Sequence, residues 1–355
     1  MIRYIKRTLY AYVSRFLFRT ILVEGVMKGT DYPFRCLFID ESTYTKYLMG
    51  RTFEGPCTVL KSSRVWLPLL RKHIAANDHD LCIAVLPVAT DPGYHDQSDY
   101  RCTHHIQQIV DTSVTWEEIR RAFSKRTRGK VNMFQKKYDF TYRISTSLED
   151  FEHFYHSMHV PHTKTRYGEI ADIDSYDEMK KYFLKGKLLF VVRNDVAVAG
   201  SLILIEDETL FYRRAGVLDG DESHIKDDAQ FALYYFMISY AKENNLKAVD
   251  LMWSVSFLND GVFGHKRRWG ATVYPLNNID SWIHYYNVKP SAKMAKFFEI
   301  NPLIYYGKKG LEALVGMTGD PEISTDAINK YIRKYKNDGI HRYTVITPQD
   351  TIKLK

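Results

Sequence analysis

Apolar residues recur at helical spacing over Ala229–Asn245, where Phe231, Tyr234, Tyr235, Ile238 and Ala241 mark one face and a terminal Asn-Asn pair closes the helix. Just upstream the pattern is that of strands. Leu188–Arg193, Ala197–Glu206 and Thr209–Ala215 are apolar runs joined by the turn pairs Asn194-Asp195 and Asp207-Glu208, so they predict consecutive hairpins. Ala248–Trp253 is one more short apolar strand, with a single acid, Asp250, inside it. Thr141–Ser145 alternates as a strand does, and Leu148–Met158 and Tyr176–Lys185 read as helices. Earlier still, Arg64–Ala75 reads as helix, Leu81–Ala89 and His105–Val110 as strands, and Trp116–Lys137 as one long helix. Thr115 is its N-cap, and Glu117 and Glu118 sit in its first turn. The polar run Thr90–Asp99 and the stretch Tyr138–Glu149 are breaks between modules. Pro290–Gly316 reads as a basic, aromatic helical appendix, and no repeat on the scale of a solenoid unit is visible.

The first twenty residues carry Ile2, Ile5, Leu9, Val13 (or Tyr12) and Phe16 at helical spacing, with Arg3, Lys6, Arg7, Arg15 and Arg19 between them. Such a helix can lie in the interface of an anionic bilayer or pack on its own domain. No apolar stretch reaches the ~20 residues that cross a membrane. The N-terminal apolar runs are cut by Arg15 and Arg19 and lack a cleavage site, so a secretory leader is not expected. Cys36, Cys57, Cys82 and Cys102 are scattered, with no paired spacing, which fits free thiols in a reducing cytoplasm.

Composition narrows the partner class only slightly. The chain has 355 residues, 45% hydrophobic and 26% charged, which describes a folded globular protein with room for two domains. A formal net charge of +8 favours anionic partners: phosphates, nucleic acid or a membrane surface.

The strand Ala248–Trp253 runs into a polar loop with Asp260-Gly261, then into His265, Lys266, Arg267 and Arg268, and closes on Trp269-Gly270. A strand that ends in a glycine-containing loop and then presents several cations suits an anion or a polarised carbonyl. Arg267 and Arg268 offer planar forks that match phosphate groups. Asp250, inside an apolar strand, either pairs with a buried donor or acts as a base with a raised pKa. Arg213 and Arg214 are adjacent on a strand and point to opposite faces, and Arg213 is the one expected to face the reaction cleft. The helix Trp116–Lys137 holds eight cations against two acids, enough to draw in the phosphates of a nucleotide-sugar, a lipid carrier or tRNA. His153, His156, His159 and His162 step around a helix that Pro161 is expected to end, so they do not converge and no metal is expected.

Three pieces carry a resemblance to a known family. Arg120–Lys137 (RRAFSKRTRGKVNMFQKK) is similar to a basic joining helix, Thr163–Gly168 (TKTRYG) to an Arg-x-Gly element, and Phe257–Gly270 (FLNDGVFGHKRRWG) to a closing motif. With the order of elements from Ile109 to Pro275, they resemble the GNAT acyltransferases, in the branch of Fem-type aminoacyl transferases and GNAT-like acetyltransferases of polysaccharide loci. The resemblance implies a mixed α/β fold of two tandem GNAT-like modules. Its parts are a basic N-terminal helix (1–28), a degenerate module (29–138), an acyltransferase module (139–280), and a helical appendix with tail (281–355).

The resemblance also implies roles. Lys266 would stand beside the reactive carbonyl, Asp250 would serve as base, and Arg166, Tyr167, Arg213 and Asp260 would contact substrate. Arg267 and Arg268 would hold the phosphates of the donor. The expected reaction is acetyl transfer from acetyl-CoA to an amine on an amino sugar or similar envelope precursor. Transfer of an amino acid from aminoacyl-tRNA is the enzymatic alternative. A catalytically silent, membrane-associated binding protein, using the N-terminal helix and Lys289–Lys309, is the third reading. The expected setting is the cytoplasm, with peripheral attachment to the inner face of the plasma membrane as a variant. The loop Gly216–Asp228 departs from the family: it lacks paired glycines, and its Asp219, Asp221, Glu222, Asp227 and Asp228 are expected to repel a pyrophosphate.

Overall fold

A computed structural model of the chain describes residues 16–40, 43–88, 98–168, 173–226, 228–319 and 324–354. Most of the expected N-terminal helix and of the loop 90–99 lies outside them. The elements run β1 (Leu17–Val26), β2 (Pro33–Ile39), α1 (Thr43–Thr52), β3 (Thr58–Trp66), α2 (Leu70–Ala75), β4 (Leu81–Pro87) and β5 (Tyr100–Cys102). Then come β6 (His105–Asp111), α3 (Trp116–Ala122), α4 (Lys125–Lys137), β7 (Thr141–Ser145), α5 (Leu148–His153), α6 (Val160–Tyr167) and α7 (Tyr176–Phe183). They are followed by β8 (Lys187–Arg193), β9 (Val196–Glu206), β10 (Thr209–Val217), α8 (Glu222–Lys226), α9 (Ala229–Glu243), β11 (Ala248–Val255), α10 (Gly261–Arg267) and β12 (Thr272–Tyr274). The chain closes with β13 (Ser281–Tyr286), α11 (Ala292–Ile300), β14 (Leu303–Gly307), β15 (Gly310–Gly316), α12 (Thr325–Ile332), β16 (Tyr343–Ile346) and β17 (Thr351–Leu354).

Contacts divide the chain into two units. One gathers residues 1–106, 255–263 and 274–355; the other gathers 107–254 and 264–273. The first unit holds a six-stranded sheet, β3-β1-β2-β4-β13-β5, and a four-stranded sheet, β14-β15-β16-β17. In its larger sheet β1 pairs antiparallel with β2 and β3, β2 runs parallel to β4, and β13 pairs antiparallel with β4. Phe34, Phe38, Phe297, Phe298 and Tyr285 fill its core, with Phe34 and Phe297 stacked at 5.5 Å.

Four expectations are corrected here. Leu17–Val26 is strand, not the end of a helix, because it finds partners on both sides in β2 and β3. Thr58–Trp66 is also strand, so the helix expected over Arg64–Ala75 starts only at Leu70. Within Pro290–Gly316 the appendix is helical only over Ala292–Ile300; Leu303–Gly307 and Gly310–Gly316 are paired antiparallel. Within it Phe297, Phe298, Ile304 and Tyr305 are at most 7% exposed, so these side chains belong to the interior of the unit and not to a membrane-facing surface.

The fourth correction concerns two helices. Trp116–Lys137 is broken at Phe123, whose backbone is extended (φ −61°, ψ 140°), and Ser124 caps a second helix by accepting from the Thr127 N–H. The first half keeps its expected capping box, with Thr115 and Glu118 reciprocally bonded. Pro161 does not end a helix. It sits in the first turn of α6, and a π-helical stretch, Phe154–His159, joins α5 to α6 as one rod.

The second unit carries the seven-stranded sheet β12-β6-β11-β10-β9-β8-β7. β7 to β10 are antiparallel neighbours, and β11 returns through α9 to lie parallel to β10. Val249 and Leu251 of β11 share a core with Ala232, Leu233 and Met237 of α9. The parallel pairing is short: Thr209 faces Ala248, Leu210 faces Val249, Phe211 faces Asp250, and it stops there. Beyond that point β10 is irregular between Tyr212 and Arg214, and β11 carries Met252 at φ 63°, a left-handed conformation rare for a non-glycine residue. The two strands therefore splay apart after Asp250.

Candidate active site

Asp250 sits where the strands part. Its carboxylate is buried, with 1% of the residue exposed. Oδ2 accepts from Gln107 Nε2 at 2.5 Å and Oδ1 accepts from the Met252 N–H at 2.7 Å. Burial pushes its pKa above the ordinary carboxylate value, while Gln107, the Met252 amide, Lys266 and Arg213 pull it back. A carboxylate raised in this way is a better proton acceptor than an ordinary exposed one.

Lys266, on α10, is 4% exposed. Its Nζ donates to the Met252 carbonyl at 3.1 Å and to the Trp253 carbonyl at 2.6 Å. The ammonium, with three donors, holds both carbonyls. Lys266 thus ties α10 to the splayed end of β11 and puts a cation beside Asp250. Arg213 enters from β10: its guanidinium lies 4.3 Å from the Tyr182 ring centroid and acts electrostatically on Asp250. Its neighbour Arg214 turns away to Asp174, donating from Nη2 at 2.8 Å.

A second feature adjoins this one. A cavity of about 200 Å³ is lined by Arg126, Lys130, His265, Arg268, Asp228 and Phe231, among others. It opens at the start of α9, where Asp228 adopts φ 70° and makes no side-chain cap bond to the first turn. Asp228 instead pairs with Lys130, whose ammonium also lies 4.8 Å from the Phe231 ring centroid. The cavity thus brings Arg126 and Arg268 together at the start of α9. Of the acids in the loop Gly216–Asp228, Asp221 and Glu222 are exposed, and Asp228, which lines the cavity, pairs with Lys130.

His265 joins the two features. Burial drops its pKa to about 4, helped by Arg268, Arg166, Lys130 and Lys266, so it is neutral at physiological pH. Its Nε2 lies 3.4 Å from Trp269 Nε1, and its ring meets Tyr234 edge-on at 4.5 Å. Arg166, near the end of α6, is thereby brought within electrostatic reach of the cavity; Tyr167 closes the same helix.

The other sequence candidates divide. Arg268 lines the cavity, whereas Arg267, half-buried on α10, is not among its lining residues. Asp260 Oδ1 accepts from the Val262 and Phe263 amides, both at 2.9 Å, and so caps α10. The closing Trp-Gly pair has a packing origin. Trp269 is fully buried against Phe123, Phe231 and Tyr234. Gly270 has φ 75°, and a Cβ there would come within 2.7 Å of the Ala122 Cβ. Sequence reading named His265 only as one of a basic cluster, and missed Gln107 and the selection of Arg126 and Lys130 from a uniformly basic helix. The available signal was weak, since nothing local marks which cations face a cavity.

The strand order and the splay beside Asp250 fit the GNAT-like arrangement expected from the sequence for the second unit. The first unit repeats the simpler scheme of an antiparallel pair with a parallel strand added, as β1, β2 and β4. No family profile matches the chain, and no curated protein does. Among solved structures, FemX is similar at 12% identity and a TM-score of 0.39, with 75% of this chain and 84% of that one covered. L-PGS from Bacillus licheniformis is similar at 10% identity and a TM-score of 0.36, with 75% and 84% covered. A GCN5-related N-acetyltransferase from Kribbella flavida shows 15% identity and a TM-score of 0.27, with 71% and 80% covered.

Proposed function

We propose that the second unit is an N-acyltransferase whose donor is held by its phosphate groups and whose acceptor is an amine. The observation that carries this is the buried Asp250 at the splay of β10 and β11, within the field of Lys266 and Arg213. The donor's phosphates take the cavity at the start of α9, with Arg126, Arg268 and the helix amides as ligands. The acyl carbonyl reaches the splay, where the positive field of Lys266 and Arg213 favours charge on its oxygen as the amine adds. Asp250 takes the ammonium proton. A C–N bond forms, the bond from acyl carbon to sulfur breaks, and the thiolate leaves to be protonated. Lys266 acts through its charge and by holding the end of β11, since two of its donors already serve carbonyls.

Acetyl-CoA is the donor this reading favours, and an amino sugar of an envelope precursor is the acceptor. The basic helix α4, which supplies Arg126 and Lys130 to the cavity, favours aminoacyl-tRNA as the second reading, in which an ester bond to oxygen breaks instead. Among the described residues no helix is long and apolar enough to cross a membrane. Equilibrium binding of acetyl-CoA and of charged tRNA to the purified protein tests the proposal. Saturable binding of one, weakened by Arg268→Ala, supports it and chooses the donor. Binding of neither overturns it.

A further inference from the structure

We propose that Trp253 is the platform on which the sugar ring of the acceptor stacks, edge by edge with the base that deprotonates its amine; this rests on the N-acyltransfer reading. Trp253 is 54% exposed, an unusual state for the largest apolar side chain. It sits two residues past the splay, and its backbone is held: its carbonyl accepts from Lys266 at 2.6 Å.

The face on which the indole lies follows from its neighbours. In a regular strand Asp250 and Ser254, four residues apart, would share one face. Their partners are Gln107 and Gln108, adjacent on β6 and therefore on opposite faces. The left-handed residue Met252 lies between them and accounts for the reversal. Past this reversal, Trp253 emerges on the face that bears Asp250, and the buried Ser254 takes the other. Val249 and Leu251, on the opposite face from Asp250, are packed in the core with α9, so the indole stands on the side α9 does not cover.

A flat apolar ring on a held backbone, on the face of a buried carboxylate, suits a molecule with one apolar face and one basic group. A 2-amino pyranose has both. Its axial C–H bonds pack on the indole, its hydroxyls stay in water around the rim, and its amine reaches toward Asp250. Side-chain stacking of this kind needs no hydrogen-bonding partner on the indole, only an accessible face.

The test uses the full chain without donor, with saturation-transfer NMR and calorimetry to follow glucosamine and, separately, adenosine. Glucosamine is expected to bind the wild type, Trp253→Ala to weaken it roughly tenfold, and Trp253→Phe to retain most of the affinity. Donor binding at the α9 cavity should stay within about twofold in both variants, because that cavity is lined by other residues. Equal glucosamine affinity in wild type and Trp253→Ala overturns the platform and leaves the acyltransfer reading standing. No glucosamine binding by the wild type removes the amino-sugar acceptor and the platform together. Adenosine binding that depends on Trp253, without glucosamine binding, shows a nucleobase platform and overturns the sugar assignment.

Discussion

The two units set a parallel strand beside an antiparallel pair, yet they use the junction differently. In the first, β2 and β4 stay paired from Cys36 and Leu81 to Ile39 and Ala84, the end of β2, and all eight residues of that junction are apolar and at most 1% exposed. In the second, β10 and β11 part after Phe211 and Asp250, and the buried carboxylate at that point lies in the field of Lys266 and Arg213. A closed junction yields stability. An open one leaves room for chemistry, and its polar groups are held by Gln107 and by the carbonyls of Met252 and Trp253.

That contrast predicts a separation of effects. Lys266→Ala removes a cation from the open junction and leaves two carbonyls without their donor. Turnover should fall by about 10²–10³-fold, with a loss of about 1–3 kcal/mol in stability. Lys266→Arg should rescue poorly, because a planar fork cannot occupy the point between both carbonyls. Steady-state rates alongside denaturant melts check this, and unchanged turnover would remove Lys266 from the site.

Phe38→Ala in the closed junction should do the reverse. Phe38 is fully buried and packs edge-on to Phe53, so the loss should be about 3–5 kcal/mol with kcat per folded molecule unchanged. A lowered kcat in the folded fraction would mean that the first unit takes part in the chemistry. Arg268→Ala should weaken donor binding about tenfold and leave the maximal rate alone, and the deficit should shrink at high salt.

One effect is shared by both units. Burial holds His162 and His265 of the second unit, and His104 and His284 of the first, at about 4. An unfolded imidazole titrates near 6.5, so below that pH the unfolded chain binds more protons than the folded one. Stability contributed by neutral burial is complete above pH 6.5 and is lost as the pH falls toward 4. Thermal melts between pH 7.5 and pH 4.5 should show a falling Tm with no plateau in between, in both units alike.

Much of the second unit was legible because its signals are local. The hairpins were marked by Asn194-Asp195 and Asp207-Glu208, all at positive φ, and α9 by its apolar period. Asp250 and Lys266 stood out as charges in apolar or glycine-flanked contexts. What local pattern could not show was pairing across long separations. β13 lies between β4 and β5, nearly 200 residues earlier in the chain, and β1 is strand only because β2 and β3 flank it. The break at Phe123 was hidden because Ser124 reads as an interior polar residue until its cap bond is seen. Trp253 was unremarkable for a related reason. Its exposure follows from one left-handed residue, Met252, and β-strand alternation gives no warning of that.

Asp250→Asn puts the central claim to the most direct test. Asparagine keeps the side-chain volume and a carbonyl oxygen for the Met252 amide, but it cannot take a proton. With the donor chosen by the binding experiment, transfer to an amine acceptor should fall about 10²–10⁴-fold. Donor affinity should stay within about threefold and the melting temperature within a few degrees, as expected when only proton transfer is lost. A variant that turns over at the wild-type rate would contradict the account, since the open junction would then contain no base.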